Sequence, residues 1–257
     1  MIQQIQTKVK SNELIADKIY KLVLSDDFDL NQFLPGKFIH IKCADGLDPL
    51  LRRPMSICNI NDSGDEMVVL YRADGKGTKL LSQKNPGDEL DMLAPLGVEF
   101  PTEQVKAGSK VLMIGGGIGV PPLYYLSRKL KAQGAQIKAI LGFNAAKDVF
   151  YEDEFKELGE TYITTIDGRY GHQGLVTDLM DEDYDILYTC GPTAMIKAVQ
   201  AKVPEGKLAY MSLEERMACG IGACLACVSK STDPNCKSYN RVCTEGPVFP
   251  INSIDLL

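Results

Sequence analysis

Val111-Leu112-Met113-Ile114 runs directly into Gly115-Gly116-Gly117-Ile118-Gly119 and on into Val120-Pro121-Pro122-Leu123. The four apolar residues read as a buried strand, and Leu123, Leu126 and Leu130 recur at helical spacing. One of the two prolines fits the first helical turn, and Gly134 fits the end. Between strand and helix, the glycines let the backbone come close to a ligand, and the helix start offers amides to a pyrophosphate. The loop departs from the G-x-G-x-x-G fingerprint: counting from Gly117, the third glycine position holds Pro122.

Downstream, strands at 137–143, 162–166 and 185–190 alternate with helices around 151–158 and 193–203. This rhythm predicts an open parallel α/β domain with right-handed crossovers. Upstream the rhythm differs. Runs at 19–24, 38–43 and 67–72 are rich in β-branched and aromatic residues, and Pro35-Gly36, Asp45-Gly46, Ser63-Gly64 and Pro86-Gly87 punctuate them. Short strands at this pitch predict a small antiparallel barrel. The divisions expected are a barrel at 1–101, an α/β domain at 102–212 and a cysteine-bearing module at 213–257.

That last module holds Cys219, Cys224 and Cys227 in a C-x4-C-x2-C run, with Cys243 further on. The first three match the plant-type spacing for a [2Fe–2S] cluster, and the small residues between them leave room for an inorganic core. Zinc is the rival, since four thiolates also suit a tetrahedral structural site. The module shows little periodicity, so a metal is expected to shape it. Cys236 is read as a non-ligand thiol, and Cys43 and Cys58 as core residues. His40 and His172 stand alone and are read as satisfied structural or surface histidines.

Two stretches of the barrel suggest anion binding. Leu51-Arg52-Arg53-Pro54-Met55-Ser56 offers a guanidinium fork and a hydroxyl, and an ordinary basic turn is the bland alternative. Leu70-Tyr71-Arg72 leads into Gly75-Lys76-Gly77-Thr78, a possible phosphate turn or simply a helix cap. Bulk properties are those of a globular protein: 257 residues, 45% hydrophobic, 24% charged, net charge −6. The negative balance argues against nucleic acid as a partner, and no apolar run approaches a membrane span. With no apolar secretory core near the N-terminus and eight cysteines, a cytoplasmic, reducing address is expected.

The order of these motifs resembles the ferredoxin reductase superfamily, which has an Arg-x-x-Ser flavin strand, a G-x-G-x-x-P loop and a Cys-Gly-Pro signature, here Cys190-Gly191-Pro192. With the cysteine module added, the whole length resembles the electron-transfer subunits of NAD-dependent, two-subunit (type B) dihydroorotate dehydrogenases. The resemblance implies that FAD binds at Arg53, Pro54, Met55, Ser56, Leu70, Tyr71, Arg72, Gly77 and Thr78. Arg53 would hold the pyrophosphate and Ser56 the isoalloxazine ring. It implies NAD at Gly115, Gly116, Gly117, Gly119, Pro122, Pro192 and Met195, with Cys190 and Gly191 lining the hydride-transfer site. It assigns Cys219, Cys224, Cys227 and Cys243 to a [2Fe–2S] cluster. The 2′-phosphate position of NADP would fall near Asp167-Gly168-Arg169-Tyr170, where an acidic neighbour favours NAD.

The implied activity is electron transfer within pyrimidine (UMP) biosynthesis. An FMN-containing catalytic subunit would oxidise dihydroorotate in a heterotetramer with two copies of each chain. Nicotinamide moves two electrons together and a cluster moves one, so a flavin, able to do both, belongs between them. The alternatives are a reductase subunit of a glutamate synthase-like or hydrogenase-type complex, an autonomous NADH oxidoreductase, and a zinc-stabilised nucleotide-binding module without redox activity.

Overall fold

The computed structural model describes residues 1–232 and 239–256. Cys236 lies outside the described residues. Six antiparallel strands close into a barrel: β1 (Gln3–Ala16), β2 (Ile19–Ser25), β3 (Phe38–Ile41), β4 (Arg53–Ile60), β5 (Glu66–Arg72) and β6 (Glu89–Leu96), in the spatial order β1-β2-β5-β4-β3-β6. Alternate residues of these strands point inward, as the period of a strand requires, and Leu22, Leu24, Ile39, Ile41, Ile57, Met67, Val69 and Met92 fill the interior. The expected barrel is present. Its third strand ends at Ile41, because Lys42 and Cys43 begin the long β3–β4 connection. Helix α1 (Lys76–Leu81) follows β5 directly.

The glycine-rich stretch opens the second sheet. β7 (Lys110–Gly116) leads through a 3-10 turn at Gly117–Gly119 into α2 (Val120–Ala132), which carries both prolines near its start. β8 (Gln136–Phe143), α3 (Glu152–Lys156), β9 (Gly159–Thr165), β10 (His172–Gln173), β11 (Ile186–Cys190), α4 (Thr193–Gln200) and β12 (Leu208–Ser212) complete the domain. Its helices are shorter than the periodicity suggests. The strands from β10 to β12 pair in parallel, in the order β10-β9-β8-β7-β11-β12. The order reverses between β7 and β11, and ligands of open α/β sheets bind outside the strand ends at such a point.

The cysteine module departs from expectation. It forms a two-stranded ribbon of β13 (Val228–Lys230) and β14 (Tyr239–Arg241), and then β15 (Val248–Pro250) adds an antiparallel edge to the second sheet. Cys227, Val242, Cys243, Phe249, Ile251 and Ile254 share one core with Ile114, Leu187 and Met211 of the α/β domain. Apolar burial as well as any metal therefore holds this module in place.

A second continuous core joins the barrel to the α/β domain: Ile19, Cys58 and Leu70 pack with Leu123, Leu126, Tyr151 and Phe155. Asn59 accepts a hydrogen bond from Arg128 at 2.6 Å, and Lys147 pairs with Asp17 at 2.8 Å across the same boundary. The two domains are thus fixed against each other by core as well as surface contacts.

Candidate functional site

The paired arginines at the start of β4 have separate tasks. Arg52 reaches Asp91 at 2.8 Å and also donates to the Asp91 carbonyl at 2.9 Å, so its charge is answered within the barrel. Arg53 donates only to backbone carbonyls, those of Leu51 at 2.6 Å and Arg52 at 3.2 Å. No carboxylate among the described residues pairs with it. Beside it lies Gly77 in the first turn of α1, where a Cβ would stand 3.0 Å from the Arg53 Nε. A guanidinium with no carboxylate partner, set against a glycine in the first turn of a helix, is a cradle for phosphate.

Arg53, Pro54, Met55, Ser56, Leu70, Tyr71, Arg72 and Thr78 line one cavity of about 460 Å³. Tyr71 is stacked on Tyr20 with ring centres 5.6 Å apart, and its hydroxyl donates to the Asn12 side chain at 2.9 Å. The opposite wall comes from elsewhere in the chain: Phe38, Ile118, the segment Ser212–Met217, Val242 and Pro247. The segment Ser212–Met217 is not singled out by any sequence motif, and it is the end of β12, paired with β11 and β15, that leads this segment to the barrel.

A second cavity, about 690 Å³, lies over the carboxyl ends of the parallel strands. Gly116, Gly117, Gly119, Gly191, Pro192 and Met195 line it, with Gly142, Asn144, Thr164 and Val176 added by the fold. Gly115 and Pro122 sit behind the wall, where a Cβ on Gly115 would press on Val120 at 3.0 Å. A Cβ on Gly119 would stand 2.3 Å from the Cys190 carbonyl oxygen, so only glycine allows this approach of helix to strand. Cys190 itself is fully buried beneath the wall. Burial raises its thiol pKa, and Ser212 hydrogen-bonds to it.

The four thiols influence one another: Cys224 acts on Cys219, and Cys227 and Cys219 act on Cys243. Burial pushes Cys219 upward, but the Ile221 amide, the Cys224 thiol and the Cys224 and Ala223 amides outweigh it, and the pKa falls to about 7. Cys243 is pushed up to about 11, first by burial and then by the adjacent Cys227. Among the described residues no three Cys, His, Asp or Glu side chains converge as they would around a single metal ion. The four thiols of this module, spaced C-x4-C-x2-C with Cys243 beyond, suit the four thiolates of a [2Fe–2S] cluster.

His40 underlies the cysteine loop. A Cβ on Gly220 would meet its Nδ1 at 2.6 Å, and burial lowers its pKa to about 4. It is buried as a structural histidine would be, yet neither ring nitrogen has a hydrogen-bond partner among the described residues.

A barrel cavity with a bare arginine, a glycine-lined cavity at the switch point and a four-cysteine module define an electron-transfer flavoprotein of the ferredoxin reductase type. A family model for the "Iron-sulfur cluster binding domain of dihydroorotate dehydrogenase B" matches residues 214–255, and one for the "Oxidoreductase NAD-binding domain" matches residues 113–201. The dihydroorotate dehydrogenase B (NAD(+)) electron transfer subunits of Bacillus mycoides and Bacillus cereus are each 50% identical over 260 residues, covering all of both chains. The chain belongs to this family of electron transfer subunits.

Among solved structures, a chain of an NADH-dependent reduced ferredoxin-NADP oxidoreductase studied for flavin-based electron bifurcation is 28% identical with a TM-score of 0.85, covering 97% of this chain and 90% of its own. Phthalate dioxygenase reductase, at 18% identity and a TM-score of 0.67 over 90% and 87% of the two chains, shares the fold.

Proposed function

We propose that this chain carries electrons from dihydroorotate, oxidised by an FMN-containing catalytic subunit, through a [2Fe–2S] cluster and FAD to NAD+, in de novo pyrimidine synthesis. Three units, at 1–101, 102–212 and 213–257, each serve one redox group. The observation that carries the reading is the adjacency of all three sites: Val242 lines the flavin cavity and is followed by the ligand Cys243, while Ile118 of the glycine loop lines the same cavity from the other side. FAD, when bound, supplies the conversion between one-electron and two-electron transfer.

The residues divide the work. Arg53, with the start of α1 at Gly77 and Thr78, neutralises a pyrophosphate and fixes the flavin's long axis. Pro54, Met55, Ser56, Leu70, Tyr71 and Arg72 shape the space for the ring. Gly116, Gly117 and Gly119 bring the start of α2 to the dinucleotide phosphates, backed by Gly115 and Pro122. Gly191, Pro192 and Met195 confine the nicotinamide half, and Cys190 supports that wall from below. Cys219, Cys224, Cys227 and Cys243 hold the cluster, whose iron supplies single-electron transfer.

Cys224 is exposed, with Ile221 and Leu225 exposed beside it, 50% and 62% respectively. This apolar rim is the docking face for the catalytic subunit, in a heterotetramer of two copies of each chain. Among the described residues no helix is long and apolar enough to cross a membrane, and a cytoplasmic setting fits a subunit working beside a pyrimidine-forming enzyme. The 50% identity to the electron transfer subunits favours this reading over a reductase subunit of another flavin and iron–sulfur complex.

Reconstitution tests the proposal. The anaerobically purified chain should show flavin and cluster absorbance, and should not oxidise dihydroorotate alone. Addition of the FMN-containing subunit should confer dihydroorotate-dependent NADH formation. A colourless protein, or no gain on mixing, would refute it.

A further inference from the structure

The two cavities meet, and three residues line both: Arg72, Ile118 and Glu214. Hydride transfer requires donor and acceptor rings in near contact, about 3–3.5 Å between the reacting atoms. If the barrel cavity holds the flavin and the sheet cavity the dinucleotide, the nicotinamide ring must lie against this shared wall. The inference rests on that reading of the cavities.

Of the two charged residues on the wall, Arg72 has a neighbour to answer it, the Asp74 carboxylate 3.9 Å from its Nε. Glu214 has none. It follows Ser212 at the end of β12 and faces the open space of both cavities, and no cation or hydrogen-bond donor among the described residues pairs with its carboxylate. Cys190, beneath the wall, feels its charge. Glu214 sits within the cleft with its surface open to solvent in the ligand-free protein, and the protein around it pushes its carboxyl pKa upward by burial.

The missing counter-charge matches one redox state of the ligand. The nicotinamide ring of NAD+ is cationic. Hydride addition delivers a proton and two electrons, and the ring of NADH is neutral. We propose that Glu214 is the electrostatic partner of the oxidised nicotinamide ring, so that this site holds NAD+ more tightly than a neutral dihydronicotinamide. A ligand entering the cleft would strip water from this exposed carboxylate, a cost for an isolated charge that a cation within about 4–6 Å relieves. NAD+ would supply that cation, whereas NADH, once formed, would leave the carboxylate unanswered again. Product release would be favoured by the same residue that favours substrate entry. Glu214 is thus a specificity-determining residue for the redox state of the ligand, acting through charge at the ring.

The test compares two ligands of equal shape and different charge on the oxidised, FAD- and cluster-loaded complex with its catalytic subunit. Calorimetric titration with NAD+ and with the redox-inert neutral analogue 1,4,5,6-tetrahydro-NAD gives both Kd values. Glu214→Gln should weaken NAD+ about tenfold, which is about 1.4 kcal/mol, and leave the neutral analogue within about twofold. Glu214→Asp, which keeps the charge, should retain most of the NAD+ preference. Equal weakening of both ligands, or no change in either, would overturn the proposal. So would loss of FAD from both variants, which would make Glu214 a flavin or structural residue. Failure of the unaltered complex to bind NAD+ would instead sink the underlying reading of the cavities.

Discussion

The inner and outer halves of the cysteine module are built differently. Cys227 and Cys243 are 2% and 1% exposed, inside a core shared with the parallel sheet. Cys219 is half-buried and Cys224 exposed, on a loop whose apolar side chains face outward. Leu225, next to Cys224, has φ of 57°, a conformation that costs a branched residue roughly 1–2 kcal/mol. The inner half is held by packing and abuts the flavin cavity through Val242. The outer half is held by local amides and presents a strained apolar tip. A module with one end embedded and one end presented is suited to relaying electrons between a partner and a flavin.

Substitution at each half is the sharpest way to break this contrast. Cys224→Ser and Cys243→Ser should both abolish cluster absorbance and reduce dihydroorotate-dependent NADH formation to background, while dye reduction by NADH through FAD persists. Their effects on the metal-free fold should differ. Cys243→Ser places a hydroxyl in the core and should cost about 1–3 kcal/mol, whereas Cys224→Ser should fall within about 0.5 kcal/mol in denaturant melts. Equal destabilisation would remove the distinction between inner and outer halves.

The paired arginines should divide in the same manner, at smaller scale. Arg53→Ala should weaken FAD retention about tenfold to a hundredfold, since a charge-assisted contact is worth about 1.5–3 kcal/mol. Arg52→Ala should leave FAD content near normal and lower stability by about 1 kcal/mol, because Asp91 loses its partner. Flavin absorbance per chain and thermal melting measure both. The smallest effect is expected at Leu225→Gly. Relief of the backbone strain and the entropy of the added glycine should nearly cancel in stability, while affinity for the catalytic subunit should fall several-fold in a titration.

Much of this architecture is legible in the sequence, for identifiable reasons. β2, β5 and β7 carry dense runs of branched and aromatic residues, and the glycine loop sits where strand gives way to helix. β15 is not legible in the sequence because it becomes a strand only by pairing with β12. The shared wall joins Arg72 and Glu214, more than a hundred positions apart, through Ile118, and no local pattern announces Glu214. Cys190 is recognisable by its Gly-Pro neighbours, but its place beneath the wall follows from the close approach of Gly119. The nearness of Cys243 to the other thiols depends on how the loop from 219 to 227 folds back on it, which spacing alone does not determine.

Electron passage through the cysteine module in series is the central claim, and rapid mixing tests it most directly. The complex with its catalytic subunit is mixed anaerobically with dihydroorotate and NAD+, and cluster bleaching near the visible band is followed alongside NADH absorbance. Cluster reduction should precede NADH formation, and Cys224→Ser should eliminate both signals while leaving FMN reduction in the partner intact. NADH forming at an undiminished rate in Cys224→Ser would contradict the serial route.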